Sequence, residues 1–482
     1  MSRRWIRRAS GLSSRAVMVS LGIAAALPAG AQAPVPVGGE LQVNSYTTSF
    51  QSRPSVATDA NGGFVVVWLS YGSSGTDTSG PSIQGQRHAS DGSTQGAQFQ
   101  INSYTTSSQR GPFVAAEANG DFVVVWASDG SSGTDTTASI QGQRYASDGS
   151  ALGAQFQVNS YTSGFQYDPS VAADADGDFV VVWYSMGSPG TDTSFGSIQG
   201  QRYASTGSAQ GAQFQVNNYT TQDQGLSSVA ADPDGDFVVV WTSKGSPGTD
   251  WFGYSIQGQR YASDGSAQGA QFQVNTFTMT WQFRASVAAD PGGGFLVAWD
   301  CTCATGSDTD TFSIQSRRYA ANGAALGPQF QVNTYATSEQ RYPSVATDAD
   351  GGFVVVWQSQ GSSGTDTGFT YSIQGQRYAS TGSAQGLQFQ VNTYTTNTQD
   401  RPSVAADPDG DFVVVWGSNG SSGTDTSQSS IQGQRFRPWA LAVPAMSSAA
   451  RAALAGLLLL LGTGYALRRR ASLPRVERAA QP

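Results

Sequence analysis

An apolar run closing on tryptophan, Phe-Val-Val-Val-Trp or a close variant, recurs seven times along this chain. The copies end at Trp68, Trp126, Trp183, Trp241, Trp299, Trp357 and Trp416, at spacings of 58, 57, 58, 58, 58 and 59 residues. Together they fill residues 41–436 almost without gaps. A period this regular means one supersecondary unit repeated, with each unit burying its faces against its neighbours.

Each copy holds four strand candidates, which in the third copy are 155–159, 170–173, 179–183 and 197–203. Between the second and third lies Asp174-Ala175-Asp176-Gly177-Asp178, a hairpin-turn composition. The third candidate is apolar on consecutive residues rather than alternate ones, so it is buried on both faces. Radial packing around an axis supplies neighbours on both sides and protects the sheet edges. Sandwich domains need about 100 residues per unit, and a β-solenoid is the alternative. The chain ends decide between them. The body opens with Leu41-Gln42-Val43-Asn44 and ends at 430–436 without a following Gln-Phe-Gln-Val-Asn. A ring closes if the first strand completes the last blade; a solenoid has no use for complementary ends. The expected fold is therefore all-β, a seven-bladed β-propeller of four-stranded blades. Its ring is closed by the N-terminal strand, and a hydrophobic helix follows separately at the C-terminus. The repeats resemble the long repeats of bacterial surface proteins, and that resemblance implies a propeller and a surface location but no activity.

The two ends carry addresses. Arg3, Arg4, Arg7, Arg8 and Arg15 precede an apolar run over 16–27 and the small residues Pro28-Ala29-Gly30-Ala31. This reads as a signal peptide over 1–31, followed by a short linker over 32–40. After the repeats, 437–451 is a linker and sorting motif, 452–470 a hydrophobic helix with an Arg cluster, and 471–482 a cytoplasmic tail. Val443-Pro444-Ala445-Met446-Ser447, the apolar stretch and Arg468-Arg469-Arg470 resemble the C-terminal sorting tags of bacterial surface proteins of the IPTL-CTERM type. That resemblance implies sorting or processing machinery as a partner. A plain single-span anchor is the other reading. Both leave the arginines cytoplasmic and the body exported, at the cell envelope or surface.

Charge narrows the partners. Outside the two ends, 15 basic residues face 33 acidic ones. Such a body repels nucleic acid. With one histidine, His88, and one lysine, Lys244, histidine triads and multi-histidine metal sites are excluded. Cys301 and Cys303 are too few for a disulfide scaffold.

Several polar positions recur. An Asp ends each Gly-Thr-Asp turn or its variant: Asp77, Asp135, Asp192, Asp250, Asp308, Asp366 and Asp425. In a propeller these turns share a face with the loops carrying Tyr46, Tyr104, Tyr161, Tyr219, Tyr335 and Tyr394, with Phe277 in the fifth copy. Aromatic faces stack on sugar rings, and carboxylates accept hydroxyl protons or hold Ca²⁺, so this face is the expected ligand site, for a glycan or a surface protein with Ca²⁺ able to assist. Packing between loops is the competing reading. Three hairpins read Asp-x-Asp-Gly-Asp, namely Asp174/Asp176/Asp178, Asp232/Asp234/Asp236 and Asp407/Asp409/Asp411. They invite Ca²⁺, although the spacing is not that of an EF-hand loop and an Asx-type turn explains it as well. Recurrent Asn, Gln and Arg positions are expected to make structural bonds repeated seven times.

Near-uniform copies and only three glutamates in the body (Glu40, Glu117, Glu339) argue against distinct acid, base and nucleophile. The expectation is a non-enzymatic, surface-displayed binding or adhesion module. A structural envelope component without a specific ligand is the alternative, and a hydrolase ranks last.

Overall fold

The computed structural model describes residues 33–438, except for residues 73–74, 78–79, 132, 136, 189, 193–194, 246–252, 279, 303–311, 363–369, 422 and 426–428 in loops. The expected signal peptide, sorting motif, hydrophobic helix and tail lie outside the described residues. Among the described residues no helix is long and apolar enough to cross a membrane.

The described chain forms seven antiparallel four-stranded sheets, the blades of a propeller. In blade 1 the inner strand is Gln51–Thr58, the second Phe64–Tyr71, the third Pro81–His88 and the outer Thr94–Gln100. Blades 2 to 7 repeat this order. In blade 7 the inner three strands are Gln399–Ala406, Phe412–Asn419 and Ser429–Arg437, and the outer strand is the N-terminal Val35–Gln42. Val35 pairs with Arg437 and Gln42 with Gln432, so the first strand closes the ring. Pairing begins at Val35, within the stretch read from the sequence as a linker.

The consecutive apolar run has its cause in the blade-to-blade packing. Phe64, Val66 and Trp68 face back onto Val413 and Val415 of blade 7. Val65 and Val67 face forward onto Phe122, Val124 and Trp126 of blade 2. Both faces of each second strand are thus core, and the seven tryptophans that close these runs are fully buried. Each such side chain contributes about 1.5–3 kcal/mol on burial.

A buried indole N–H still needs an acceptor. The recurrent glutamine supplies it: Trp68 Nε1 donates to Gln51 Oε1 at 2.9 Å, and the other six blades repeat the bond at 2.9–3.2 Å. The recurrent arginine ties neighbouring blades. Arg87 donates to the Asp148 carbonyl, Arg202 to that of Asp264, and Arg435 to that of Ser90. His88 fills the slot of Tyr145 and Tyr203 and stacks on Phe64 at 4.6 Å, as those tyrosines stack on Phe122 and Phe179. Cys301 is buried and disulfide-bonded, and Cys303 lies outside the described residues.

Candidate functional site: the mouths of the central channel

The loop aspartates are interior groups. Asp77, Asp135, Asp192 and Asp425 are essentially unexposed. Each accepts a hydrogen bond of 2.7–2.8 Å from an asparagine amide, from Asn102, Asn159, Asn217 and Asn44 respectively. The same asparagines accept the backbone N–H of Ile83, Ile140, Ile198 and Ile431 on the third strands. The aspartates therefore brace the loop against the blade, and their carboxylates are turned inward. Asp250, Asp308 and Asp366 lie outside the described residues.

The tyrosines are half-buried. The hydroxyls of Tyr46, Tyr104, Tyr161, Tyr219 and Tyr394 lie over Gly72, Gly130, Gly187, Gly245 and Gly420, where a Cβ would come within 2.8–3.1 Å of the oxygen. These glycines have φ of +62° to +81°, so the tyrosine and the turn are fitted to each other. Tyr335 is half-buried at the same position in blade 6. The rings pack between loops instead of forming a row of open platforms.

The hairpin acids gather at one end of the channel. Asp59, Glu117, Asp174, Asp232, Asp290, Asp348 and Asp407 all line a cavity of about 290 Å³ there. One oxygen of each aspartate described next is spent on its own turn. Asp174 Oδ1 accepts the N–H of Asp176 and of Asp178 at 3.0 and 2.9 Å, and Asp232 Oδ1 those of Asp234 and Asp236 at 3.0 Å. Asp407 Oδ1 accepts the N–H of Asp411 at 3.0 Å, and Asp409 occupies the turn between them. The third acids point elsewhere: Asp178 and Asp236 bind Gln210 and Gln268 at 2.8 and 2.7 Å, and Asp411 binds Arg437 at 3.2 Å. Among the described residues no group of three His, Cys, Asp or Glu side chains could hold a metal ion. The Ca²⁺ reading of these triplets meets Asx-type turns instead. Burial raises the carboxyls of Glu117, Asp174, Asp232 and Asp407, and neighbouring acids add to it.

The opposite end is where the repeats differ. Every inner strand breaks register after its second residue, between Ser52 and Ser55 in blade 1. The third residue of the strand then takes a left-handed conformation. In blade order these residues are Arg53, Gly111, Asp168, Leu226, Arg284, Tyr342 and Arg401, at φ of +47° to +58°. Six of the seven are not glycine, and proline follows in five blades. Bulky side chains rarely adopt this conformation, and such strain collects where a side chain must be aimed. All seven residues line a cavity of about 420 Å³, joined by Phe113 and by serines one or two positions further along the inner strands.

This mouth is polarised. Arg284, Tyr342, Arg401 and Arg53 come from the contiguous blades 5, 6, 7 and 1. The Tyr342 ring sits between two guanidinium groups, Arg284 at 4.4 Å and Arg401 at 4.9 Å from its centroid. Blades 2, 3 and 4 supply Phe113, Asp168 and Leu226. Blade 3 lies across a seven-membered ring from blades 6 and 7, so Asp168 faces Tyr342 and Arg401 over the channel. Burial raises the Asp168 carboxyl, and Arg53 and Arg401 oppose that rise. Asp400, one residue earlier in blade 7, shows the same balance. Gly417 leaves room for it, since a Cβ there would lie 2.6 Å from Asp400 Oδ1.

Behind the mouth lies Asp300, which replaces Leu69, Ala127 and Gly417 of other blades at the position after tryptophan. It is 0% exposed. Its Oδ2 accepts Arg284 Nη1 at 3.0 Å and the Tyr342 backbone N–H at 3.3 Å. Burial pushes its carboxyl up to about 6 despite Arg284.

None of these mouth residues was among the sequence-derived candidates, which were positions that recur. The signal lay in the inverse: the third inner-strand position is the place where an otherwise uniform repeat reads Arg, Gly, Asp, Leu, Arg, Tyr and Arg.

No family model and no curated protein sequence matches the chain. Solved structures similar in fold include an α-L-arabinofuranosidase from Fusarium graminearum, at 10% identity and TM-score 0.43, covering 83% of this chain and 98% of that one. A polysaccharide lyase of family PL25, an ulvan lyase, aligns at 10% identity and TM-score 0.47 over 84% of this chain and 94% of that one. The NanB sialidase from Streptococcus pneumoniae aligns at 10% identity and TM-score 0.44 over 85% of this chain and 70% of that one. At such identities the likeness is one of fold. The expectation of a non-enzymatic binding and adhesion module is corrected here. Its premise, uniform copies without distinct groups, fails at the larger channel mouth, where the seven copies place different side chains. The chain is an all-β seven-bladed propeller in which sevenfold repetition builds the frame and one non-repeating ring of residues lines the channel.

Proposed function

We propose that the protein is a carbohydrate-processing enzyme that cleaves glycosidic linkages at the larger mouth of the channel. The observation that carries this reading is that Asp168 of blade 3 and Tyr342 of blade 6 line one cavity of about 420 Å³. Cleaving a glycosidic bond requires a proton delivered to the leaving oxygen and a second group acting on the sugar ring. Asp168 is exposed to the channel, and desolvation in the mouth, opposed by Arg53 and Arg401, raises its carboxyl, in the direction a proton donor needs. In hydrolysis Asp168 gives its proton to the leaving oxygen as the glycosidic C–O bond breaks, water adds to the anomeric carbon, and the water's proton leaves through the Tyr342 hydroxyl to solvent, while Arg284 and Arg401 hold the Tyr342 ring in place.

Release of reducing or unsaturated ends from a panel of plant, algal and bacterial polysaccharides tests the proposal. Asp168→Asn and Tyr342→Phe should each lower kcat by at least about 100-fold. Turnover unaffected by both substitutions, or none on any polysaccharide, overturns it.

We also propose that the enzyme works outside the cytoplasmic membrane, where such polymers are found. The signal-type segment over 1–31 and the tripartite C-terminus support this placement. Complete protection of the body from protease in spheroplasts would refute it.

A further inference from the structure

We propose that the larger mouth selects an anionic sugar, whose carboxylate or sulfate is held by Arg53, Arg284 and Arg401. The inference deepens the reading of this mouth as the reaction site and rests on it.

Three of the 15 basic residues of the repeat body converge on one cavity. They do so from a strained backbone position that gains nothing from arginine as such. Their surroundings differ in a telling way. Arg284 is committed: the buried Asp300 holds it at 3.0 Å and so fixes its direction. Arg53 and Arg401 enter no ion pair among the described residues, although they come from adjacent blades. Burial, and next the charge of Arg401, pull the Arg53 guanidinium below its ordinary value. Asp168 and Asp400 already offset part of that repulsion, and an anion placed between the two arginines would add charge-assisted hydrogen bonds. Guanidinium forks match carboxylate and sulfate oxygens two at a time.

The other half of the mouth completes the discrimination. Phe113 and Leu226 both line the cavity and are 42% and 39% exposed. They offer the apolar face of a sugar ring a surface to lie on. Asp168 stands between their blades and repels an anion there. A ligand with one acidic group therefore enters in one orientation, acid toward blades 5 to 1 and ring toward blades 2 to 4. The net acidity of the body excludes a general attraction for polyanions, so the preference is local to the mouth.

Calorimetric titration of the full chain with three probes of equal length tests this: a uronate oligosaccharide, a sulfated neutral oligosaccharide and the uncharged parent. At least one acidic probe should bind at least about tenfold more tightly than the uncharged one. The affinity should fall with added salt. Binding in either acidic arm supports the assignment and identifies the group. Arg53→Gln and Arg401→Gln should each weaken acidic binding about tenfold with an unchanged thermal midpoint, and either variant suffices if the other fails to fold. Equal affinity for the uncharged probe, or acidic binding that both folded variants retain in full, overturns the inference. Cleavage restricted to uncharged polysaccharides would overturn it and leave the enzyme reading standing. Tight acidic binding without cleavage of any polysaccharide would do the reverse.

Discussion

Asp300 and Arg284 form an ion pair of 3.0 Å in which the carboxylate is fully buried and the guanidinium opens onto the channel. The pair joins the core of one blade to the mouth that all seven blades surround. The same carboxylate accepts the backbone N–H of Tyr342 and so sets two mouth residues at once.

This pair predicts a pH signature. The Asp300 carboxyl titrates near 6 in the folded protein and at its ordinary value of 3.8 when unfolded. A raised folded value means the stabilisation is complete below about 4 and is lost as pH rises through 6. The shift corresponds to about 3 kcal/mol. The thermal midpoint of the wild type should therefore drop by a few degrees relative to Asp300→Asn between pH 4 and pH 7. Parallel midpoint curves for the two proteins would contradict the assignment.

His88 gives the opposite slope. Burial lowers its imidazole, and the Gly92 carbonyl opposes this only in part. The stabilisation is present above the unfolded value of 6.5 and is lost as pH falls toward the lowered folded one. Among the described residues its Nε2 has no hydrogen-bond partner. In blades 2 to 6 a tyrosine hydroxyl reaches a carbonyl, as Tyr145 reaches Ile101 at 3.1 Å. His88→Tyr should therefore stabilise the protein by about 1 kcal/mol and flatten the acid limb, read by denaturant unfolding at pH 7 and pH 5.

The ring closure is separable. Removing residues 35–42 strips the outer strand from Ser429–Arg437 and leaves that edge unpaired. Leu41 packs half-buried against the core of blades 7 and 1, and its loss alone should cost about 1–2 kcal/mol. The exposed edge should also promote association. Light scattering during thermal unfolding measures both, and unchanged stability would count against closure.

Removing a loop aspartate distinguishes bracing from binding. Asp135 accepts bonds from Asn159, from the Thr137 hydroxyl and from the Thr137 N–H, at 2.8–3.0 Å. Asp135→Ala should cost about 1–3 kcal/mol of stability while leaving glycan cleavage at saturating substrate intact. Loss of cleavage in a folded variant would return this residue to the binding surface.

Much of this molecule was legible before any coordinates. The 58-residue period, the two-sided apolar run and the complementary ends specify seven blades and a closed ring, because a strand buried on both faces requires neighbours on both sides. The recurrent Gln, Asn and Arg were legible as structural bonds, since a role repeated seven times belongs to the frame. What repeats could be read; what a propeller uses for chemistry is where repetition stops. Arg53, Asp168, Arg284, Tyr342 and Arg401 are separated by at least 58 residues along the chain. Only closure of the ring sets them around one axis. No local pattern announces that their backbone turns left-handed and aims them inward. Likewise Asp77 and Asp135 look like surface acids in Gly-Thr-Asp turns, and only packing shows them sealed against Asn102 and Asn159. Periodicity carries the frame because hydrophobic burial acts on every copy alike; the site belongs to the tertiary structure because its residues meet only across the channel.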